Sequence, residues 1–384
     1  MKLLNGLSLY KTKHLNTILY LFLFSIITCN MVAIWLDRQI SINDVLTRSN
    51  TNGLANVGAT CYINTTIQCL GYCPPFFRYI LSAPWKKNNT PLANNLRNVY
   101  ASLWIEQQPI APHGFLRNLH ETMGQNINIF EQNDMSEFLM LYLDKLNVDL
   151  SIEILVDDDD INELKKKMMV YQDEHYRGLA FDMELAWINS VKKEYSPIID
   201  LFYGQLVSQI VCGNCHHVHH NYETYCNLSL PLSSKHKNAR TLEQTLERFF
   251  KDEIINEKEQ VWKCDTCKEK KPSTKSLRLW RNPSVLILNL KRFDYNLVKN
   301  TTAIKAPIEL DLSKFCINTE KRKYKLVAVG HHHGGVSSGH YNCICRHRNN
   351  KWYAIDDVIV REANDKEIEY VLNNGYMYFY EFIS

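Results

Sequence analysis

Two Cys-x-x-Cys pairs constrain the fold of this chain more than any other feature. Cys212 and Cys215 form one pair and Cys264 and Cys267 the other, with forty-eight residues between them. Each pair places two thiolates on one tight turn, and together they supply the four sulfur ligands of a closed tetrahedral zinc site. The separation is longer than in a compact zinc ribbon, and two disulfides or a redox motif are the alternatives. Neither pair lies at a strand-to-helix turn typical of a redox motif, so we predict a structural zinc ion.

The composition is that of a globular protein able to bury a large core. The chain has 384 residues, of which 44 are basic and 41 acidic, for a formal charge of +3. It contains no Lys/Arg-rich stripe with interleaved aromatic residues, so nucleic acid is not an expected partner. Apart from the two pairs, the cysteines are scattered. This distribution differs from the disulfide framework of a small secreted domain and indicates a reducing compartment.

The chain divides into a mainly helical first half and a second half rich in strands, which predicts an α+β fold. Helical periodicity follows Cys61 and recurs in residues 92–105 and 134–146. Beyond residue 201, short apolar runs such as VLILNLKRF, YKLVAVG and YMYFYEF are separated by turn residues. Residues 157–160 are four consecutive acids, which we interpret as a solvated loop in preference to a cation site.

Cys61 is a candidate nucleophile at the start of a helix. It lies in GLANVGATCYINTTIQCL, where Gly53 and Gly58 permit an irregular loop before an apolar-periodic segment. The positive end of the helix dipole favours the thiolate, which is the form that attacks carbonyl carbons. Backbone amides there and the side chain of Asn56 are suited to stabilise an oxyanion. On this helix alone a buried structural cysteine is the better interpretation, so the prediction depends on partners elsewhere.

Two strands near the C-terminus carry the candidate partners, His340 and Asp356. The strands are predicted at residues 340–346 and 350–356, on either side of turn residues 347–349. If the loop has three residues, His340 lies directly opposite Asp356 on the same side of the sheet, with Cβ atoms about 5 Å apart. A carboxylate at that distance fixes the imidazole tautomer and stabilises the imidazolium.

A slip of one residue in this register would place Asp357 or Ile355 opposite the histidine instead. The three histidines at 331–333 offer a metal site as an alternative use of the region, but no acidic residue follows in the loop to complete it. Cysteine, histidine and aspartate in this order are the residue types of a thiol protease.

These motifs together resemble those of the ubiquitin-specific proteases, a papain-like family of ubiquitin carboxyl-terminal hydrolases. GLANVGATCYINTTIQCL resembles the cysteine box, and HHGGVSSGHY followed by KWYAIDD resembles the histidine box. QNDMSEF is similar to the Gln-x-Asp-x-x-Glu-Phe element of the family, and LILNLKRF to the strand before its histidine box. The resemblance extends from about residue 53 to the C-terminus. It implies a thumb, palm and fingers arrangement around an antiparallel sheet, with zinc-bound fingers at about residues 205–280.

The resemblance also implies a role for each catalytic candidate. Cys61 is the nucleophile, His340 the general base and Asp356 the residue that orients it, with Asn56 at the oxyanion hole. The implied activity is hydrolysis of the bond after the C-terminal glycine of ubiquitin, so that ubiquitin and ubiquitinated proteins are the partners. A ubiquitin-binding scaffold without turnover and a protease for another ubiquitin-like modifier are the alternatives.

Substrate contacts are implied by the same comparison. Asp134 matches the family residue that contacts the ubiquitin tail, and Asp357, the second of two adjacent acids, is expected to assist at the substrate-binding side of the site. The catalytic domain is expected to span residues 53–384.

The N-terminal region differs from the rest of the chain. Residues 18–36 (ILYLFLFSIITCNMVAIWL) carry no charge, and a helix of this length is about enough to cross a ~30 Å hydrocarbon layer. The run offers no clear small-x-small cleavage site, so we predict a retained single-pass anchor in preference to a signal peptide. Residues 1–17 are then an N-terminal tail and residues 37–52 a linker. By the positive-inside rule, lysines in the tail place the N-terminus in the cytosol and therefore the catalytic domain on the opposite side of the membrane. Free thiols and ubiquitin are cytosolic, however, so we predict that the catalytic domain faces the cytosol.

Overall fold

The computed structural model describes most of the chain beyond residue 52. The described residues are 45, 52–82, 90–106, 109–124, 127–129, 131–232, 240–256, 262–293, 296, 298–317, 322–335 and 338–383. The predicted anchor at 18–36 and the predicted tail lie outside them. Within the described part, no helix combines the length and the apolar character that a membrane crossing requires.

The first half of the chain is helical, as the spacing of its apolar residues predicts. In chain order, helices α1 to α8 of the described residues span Cys61–Gly71, Pro74–Ser82, Pro91–Tyr100, His113–Met123, Met135–Leu150, Asp158–Met168, Glu174–Val191 and Pro197–Phe202. A π-helical segment, Ala101–Glu106, continues α3. The predicted helix over residues 92–105 is therefore present in two parts.

The run of four acids at 157–160 begins a helix, so its interpretation as a solvated loop is wrong. Asp157 is the N-cap of α6 and accepts a hydrogen bond from the backbone N–H of Asp160, whose carboxylate accepts one from the N–H of Asp157. This reciprocal pair is a capping box. The positive end of the helix dipole also favours acids in the first turn, which explains why four of them are tolerated together.

In the second half, the described residues form twelve strands, two further α-helices and a short 3-10 helix, Ser313–Phe315. Strands β1 to β12 span Gly204–Cys212, Val218–Tyr225, Leu228–Pro231, Glu253–Ile255, Ser273–Arg281, Val285–Lys291, Glu309–Asp311, Lys323–Gly334, Gly339–Arg346, Trp352–Asp356, Ile359–Glu362 and Met377–Phe382. Helices α9 and α10 span Leu242–Phe249 and Asp365–Asn374. The predicted α+β fold class is confirmed.

These strands form two sheets. The smaller has four strands in the order β2-β1-β5-β4, and the larger has eight, in the order β11-β10-β9-β8-β12-β6-β3 with β7 beside β8. Neighbouring strands are antiparallel except β3 and β6, which are parallel. The chain thus passes first through the small sheet with β1 and β2, enters the large sheet with β3, goes back to the small sheet with β4 and β5, and continues in the large sheet from β6.

Both faces of the large sheet are buried at its central strands, because successive residues there are apolar and their side chains point alternately to the two faces. On β6, Val285 and Ile287 face the core formed with α1, α2, α3 and α5, whereas Leu286 and Leu288 face a second core with α9 and α10. The smaller sheet has its own cluster with α6 and α7, to which Val207 belongs. The helical half therefore packs on one face of the large sheet and presents the start of α1 to β9.

Candidate active site

The hairpin of β9 and β10 has a longer turn than the sequence predicts. The turn comprises residues 347–351 instead of 347–349, and a 2.9 Å hydrogen bond from the N–H of His347 to the carbonyl of Lys351 closes it. Asn350 has φ 66°, a conformation that asparagine adopts more readily than most residues. This left-handed residue allows the five-residue turn.

Because of the longer turn, His340 and Asp356 are not directly opposite each other. Ile355 pairs with Cys343, and the same register puts Asp356 opposite Asn342. The predicted register is therefore wrong by two residues. A shift of two preserves the side of the sheet to which each side chain points, so the two residues remain on the same face as diagonal neighbours.

The diagonal arrangement brings the histidine and the acid into direct contact. The imidazole Nε2 of His340 lies 2.6 Å from Oδ1 of Asp356 and 3.9 Å from Oδ2 of Asp357. The Asp356 carboxylate thus accepts a short hydrogen bond from Nε2 and fixes the ring orientation. Nδ1 is then the nitrogen that can exchange a proton with a thiol.

The Cys61 thiol lies against the strand that carries this histidine. Cys61 is the first residue of α1, and its sulfur accepts a hydrogen bond from the backbone N–H of Tyr341, the residue after His340. Burial raises the pKa of the Cys61 thiol, and the charge of Asp357 adds to the rise, although the N–H groups of Tyr341, Tyr62 and Cys61 oppose it. The N–H groups thus act in the direction predicted for the helix start, in favour of the thiolate, whereas burial acts against it and the pKa is raised overall.

Asp357 connects the segment before Cys61 to the hairpin. Its carboxylate accepts hydrogen bonds from Nδ2 of Asn56 at 3.0 Å and Nδ2 of Asn64 at 2.8 Å, and its carbonyl accepts one from the N–H of Leu54 at 3.0 Å. A Cβ on Gly53 would lie 2.0 Å from that carbonyl oxygen, so only glycine allows this approach. The carboxylate of Asp357 is therefore engaged within the protein, and its role toward substrate stays a prediction.

Asn56 is held at both ends of its side-chain amide. Its Oδ1 accepts a 3.1 Å hydrogen bond from the N–H of Thr60, and its Nδ2 donates to Asp357. An amide nitrogen carries two N–H groups, so one remains for an oxyanion beside the Cys61 thiol. The assignment of Asn56 to the oxyanion hole stays a prediction.

The QNDMSEF element contacts the residues around the histidine. The side-chain amide of Gln132 donates to the carbonyl of Gly339 at 3.3 Å, immediately before His340. Asp134 caps α5 by accepting hydrogen bonds from the N–H groups of Ser136 and Glu137, and it also accepts one from the hydroxyl of Tyr376. The structure thus places Asp134 in a hydrogen-bonded network of its own, and its contact with a ubiquitin tail stays a prediction.

Two residues of the site were missed by sequence reasoning, Asn64 and Tyr341. Asn64 lies on α1, whose residues are all buried. A polar residue at a buried position of an apolar helix needs a partner, and this signal identifies Asn64. Tyr341 acts through its backbone N–H, which no residue type marks in a sequence.

The two Cys-x-x-Cys pairs meet at the end of the small sheet. The sulfur atoms of Cys212 and Cys267 are 3.8 Å apart and those of Cys215 and Cys264 are 3.6 Å apart, and all four lie within 4.8 Å of one another. Four sulfurs at about 2.3 Å from one tetrahedral ion would be about 3.8 Å apart. The predicted cluster therefore has the dimensions of a metal site.

One cysteine of each turn has its thiolate stabilised by backbone donors. The N–H groups of Cys215 and Asn214 lower the pKa of Cys212, and the N–H of Glu269 lowers the pKa of Cys267 to about 7, whereas burial and the neighbouring sulfurs raise the pKa of Cys215 to about 11. Backbone donors to sulfur offset the negative charge that a metal-bound cysteine carries. The four cysteines can hold a metal ion.

The family-model comparison matches residues 52–380 to "Ubiquitin carboxyl-terminal hydrolase". The chain belongs to this family. Among curated relatives, it is 29% identical over 343 residues to Ubiquitin carboxyl-terminal hydrolase Usp2 of Drosophila melanogaster, covering 86% of this chain and 34% of that protein. It is 30% identical over 371 residues to Ubiquitin carboxyl-terminal hydrolase 4 of Vanderwaltozyma polyspora, covering 86% and 41%. The chain thus spans less than half the length of these relatives.

Solved structures of the family share the fold. A chain of the SAGA DUB module of Ubp8, Sgf11, Sus1 and Sgf73, bound to monoubiquitin, superposes with a TM-score of 0.68 at 21% identity, over 94% of this chain and 74% of that one. The same module bound to ubiquitin aldehyde gives a TM-score of 0.65 at 22% identity, over 88% and 70%. The helical half, the large sheet and the small sheet are the predicted thumb, palm and fingers.

Proposed function

We propose that this protein is a deubiquitinating thiol protease that hydrolyses the bond after the C-terminal glycine of ubiquitin. The observation that carries the proposal is the 2.6 Å contact between His340 and Asp356 on strands beside the Cys61 thiol. Family membership and the ubiquitin-bound structures of similar fold support ubiquitin as the modifier.

The proposed reaction begins with proton transfer from the Cys61 thiol to Nδ1 of His340. Because burial raises the pKa of this thiol, the proton leaves most readily when the imidazole can accept it. Asp356 holds the other ring nitrogen and stabilises the imidazolium. The thiolate attacks the terminal glycine carbonyl, the imidazolium protonates the leaving amine, and a thioester forms. His340 then activates the water that hydrolyses the thioester.

The tetrahedral intermediates of both steps carry an oxyanion. We assign its stabilisation to the side-chain amide of Asn56 and to N–H groups at the start of α1. Donors fixed before the reaction need no reorganisation when the charge develops, and removing one such donor costs about 3 kcal/mol where it has been measured. Asp357 and Thr60 fix Asn56 here, since Asp357 accepts a hydrogen bond from its Nδ2 and the N–H of Thr60 donates one to its Oδ1.

Substrate binding is assigned to the residues around Asp134 and Asp357, on the basis of the family motifs that contain them. Asp134 belongs to the element that also holds Gly339 through Gln132. A ubiquitin tail bound there would lie beside the segment that positions His340.

We further propose that the ion held by Cys212, Cys215, Cys264 and Cys267 is zinc and that its role is structural. Four cysteine sulfurs in a closed set leave no open position for substrate or water, which is the arrangement of structural zinc sites.

The activity is tested with the zinc-loaded, full-length protein and an electrophilic ubiquitin probe, beside equivalent probes for other ubiquitin-like modifiers. We expect a covalent adduct with ubiquitin that disappears in Cys61→Ala and persists in the control Cys226→Ser. Ubiquitin binding without an adduct would instead identify a scaffold. An adduct with a different modifier only would identify a protease for that modifier.

The N-terminal segment supports a separate proposal about location. We assign residues 18–36 to a single-pass anchor with the catalytic domain on the cytosolic side, on the basis of the uncharged run and the reactive thiols that follow it. Alkaline extraction of membranes should leave the chain in the pellet, and external protease should remove the catalytic domain from intact vesicles. Release by alkali would disprove the anchor, and protection from protease would disprove the orientation.

A further inference from the structure

Three cysteines outside the proposed catalytic machinery meet where α1 packs against β9. Cys69 belongs to α1, and Cys343 and Cys345 belong to β9. Their sulfur atoms all lie within 4.8 Å of one another, and those of Cys343 and Cys345 are 3.8 Å apart. Each residue is no more than 2% exposed. The cluster is therefore enclosed in the core between the thumb and the palm.

The arrangement follows from the secondary structure. Cys343 and Cys345 are two residues apart on a strand, so both side chains point to the face that α1 covers. Cys69 comes from that helix and completes a triangle of sulfur atoms. A single buried cysteine behaves as a small apolar side chain, but three sulfurs directed at one point form a set of soft ligands.

The dimensions of the triangle fit a bound ion. Three sulfurs placed about 2.3 Å from a common centre, as in metal–thiolate bonds, would be about 4 Å apart in a trigonal site. The 3.8 Å between the sulfurs of Cys343 and Cys345, and the limit of 4.8 Å on all three separations, are compatible with this value. Thiolate ligands select soft cations such as Cu(I) over hard ones that prefer oxygen.

We propose that Cys69, Cys343 and Cys345 form a buried three-sulfur site for a soft, thiophilic cation of the Cu(I) class. Each thiol proton that binding displaces passes to solvent; displacement of one proton leaves a neutral site, in which the single positive charge of Cu(I) balances one thiolate and the other two sulfurs bind as thiols. The site differs from the fingertip cluster, which has four sulfurs, one of them on the exposed Cys215. The ion would join the helix that begins with Cys61 to the strand that carries His340.

The test uses Cu(I) alone as the probe, added without oxygen to the full-length, zinc-loaded protein. The Cys61→Ala background removes the nucleophile as a competing ligand. Native mass spectrometry should show one copper per chain in addition to zinc, and X-ray absorption at the copper edge should show three sulfurs at about 2.3 Å. The melting temperature should rise, because an ion that binds only the folded state stabilises it.

Matched variants locate the copper. In the same background, Cys69→Ala should lose the copper and the copper-dependent rise in melting temperature. Cys73→Ala should keep both, since Cys73 is a fully buried cysteine immediately after α1 that lies outside the triangle. Cys343→Ala serves the same purpose if Cys69→Ala does not fold.

Three results would overturn the proposal. They are absence of copper from the folded Cys61→Ala protein, copper retained in a folded variant that lacks Cys69 or Cys343, and copper gained only as zinc is lost. If neither of these two variants folds, the absorption spectrum of the Cys61→Ala protein decides. Three sulfur neighbours with zinc retained support the site, and any other coordination rejects it.

Discussion

Two groups of sulfur atoms in this protein are held in place by different means. Cys61 begins a helix whose residues are all buried, between the thumb and the palm. Of the fingertip cysteines, Cys212 ends β1 and is buried, as is Cys264, whereas Cys215 is exposed. Most residues of the neighbouring strand β2 are half-buried or exposed. Packing thus fixes the proposed nucleophile, whereas at the fingertips the proposed metal ion would supply stability that packing does not provide. Catalytic geometry and metal binding should therefore be separable.

The largest effect is expected from His340→Gln, which tests whether chemistry can be lost while packing is kept. Ubiquitin hydrolysis should fall by about 10²- to 10⁴-fold, because the variant lacks the proposed general base. The melting temperature should barely change, since the imidazole is 38% exposed. Hydrolysis of a fluorogenic ubiquitin substrate and thermal melting measure the two quantities. His333→Gln, on the neighbouring strand β8, is the control and should retain activity; equal losses in both variants would refute the assignment.

Removal of the metal should have the next largest effect, confined to the fingers. After chelation, we expect backbone amides of β1, β2 and β5 near the fingertips to exchange hydrogen about tenfold faster or more, whereas β9 keeps its protection. Hydrogen exchange followed by mass spectrometry measures both regions. Cys264→Ser should reproduce the change and Cys226→Ser should not. Equal loss of protection in β9 would show that the two regions are not separable.

The two groups of thiols should also react at different pH values. In metal-free protein, Cys267 has a pKa of about 7, because the N–H of Glu269 stabilises its thiolate, whereas burial raises the pKa of Cys61. A thiolate forms only as the pH rises through the pKa, so iodoacetamide at pH 7 should modify Cys267 at least about tenfold faster. The rate for Cys61 should rise only at higher pH. Peptide mass spectrometry gives both rates, and faster reaction of Cys61 at pH 7 would mean that the helix start outweighs burial after all.

A small effect is expected from Asp157→Ala, which removes the N-cap of α6. The free energy of unfolding should fall by about 0.5–2 kcal/mol, without loss of ubiquitin hydrolysis. Helix α6 packs through Leu164 and Met168 against the cluster that contains Val207 of β1, so the loss should appear in the fingers and not in the palm. Denaturant unfolding measures the change. Asp159→Ala, an exposed acid in the same turn, should cost less; reduced hydrolysis in Asp157→Ala would link α6 to the active site.

The sequence was sufficient to predict the partners in the hairpin but not their register. His340 and Asp356 share a face whenever the register shifts by an even number of residues, so the prediction of contact was robust. The turn length depends on the left-handed backbone of Asn350, which the residue pattern permits but does not require. Direct opposition was consequently predicted where the structure has diagonal neighbours.

Contacts between distant segments were harder to predict than motifs. The four fingertip cysteines carry their own spacing signal, so their convergence was predictable. The triangle of Cys69, Cys343 and Cys345 has no such spacing signal, and the buried position of Asn64 indicates that it needs a partner but not which one, because these contacts exist only after α1 packs on the hairpin. The acids at 157–160 do carry a local signal, but it is ambiguous, because the same residues are favoured at a helix start and in a solvated loop. They were misinterpreted for that reason.

The order in which the chain visits the two sheets has a consequence for synthesis. Cys212 and Cys215 are made during the first visit to the fingers, and Cys264 and Cys267 only during the second, after β3 has been made for the palm. Neither visit alone provides four sulfurs. A chain emerging from the ribosome therefore carries its first pair of thiols open until the second pair has emerged. Capture of the proposed ion by all four sulfurs is thus possible only late in synthesis, after the chain has passed from the fingers to the palm and back.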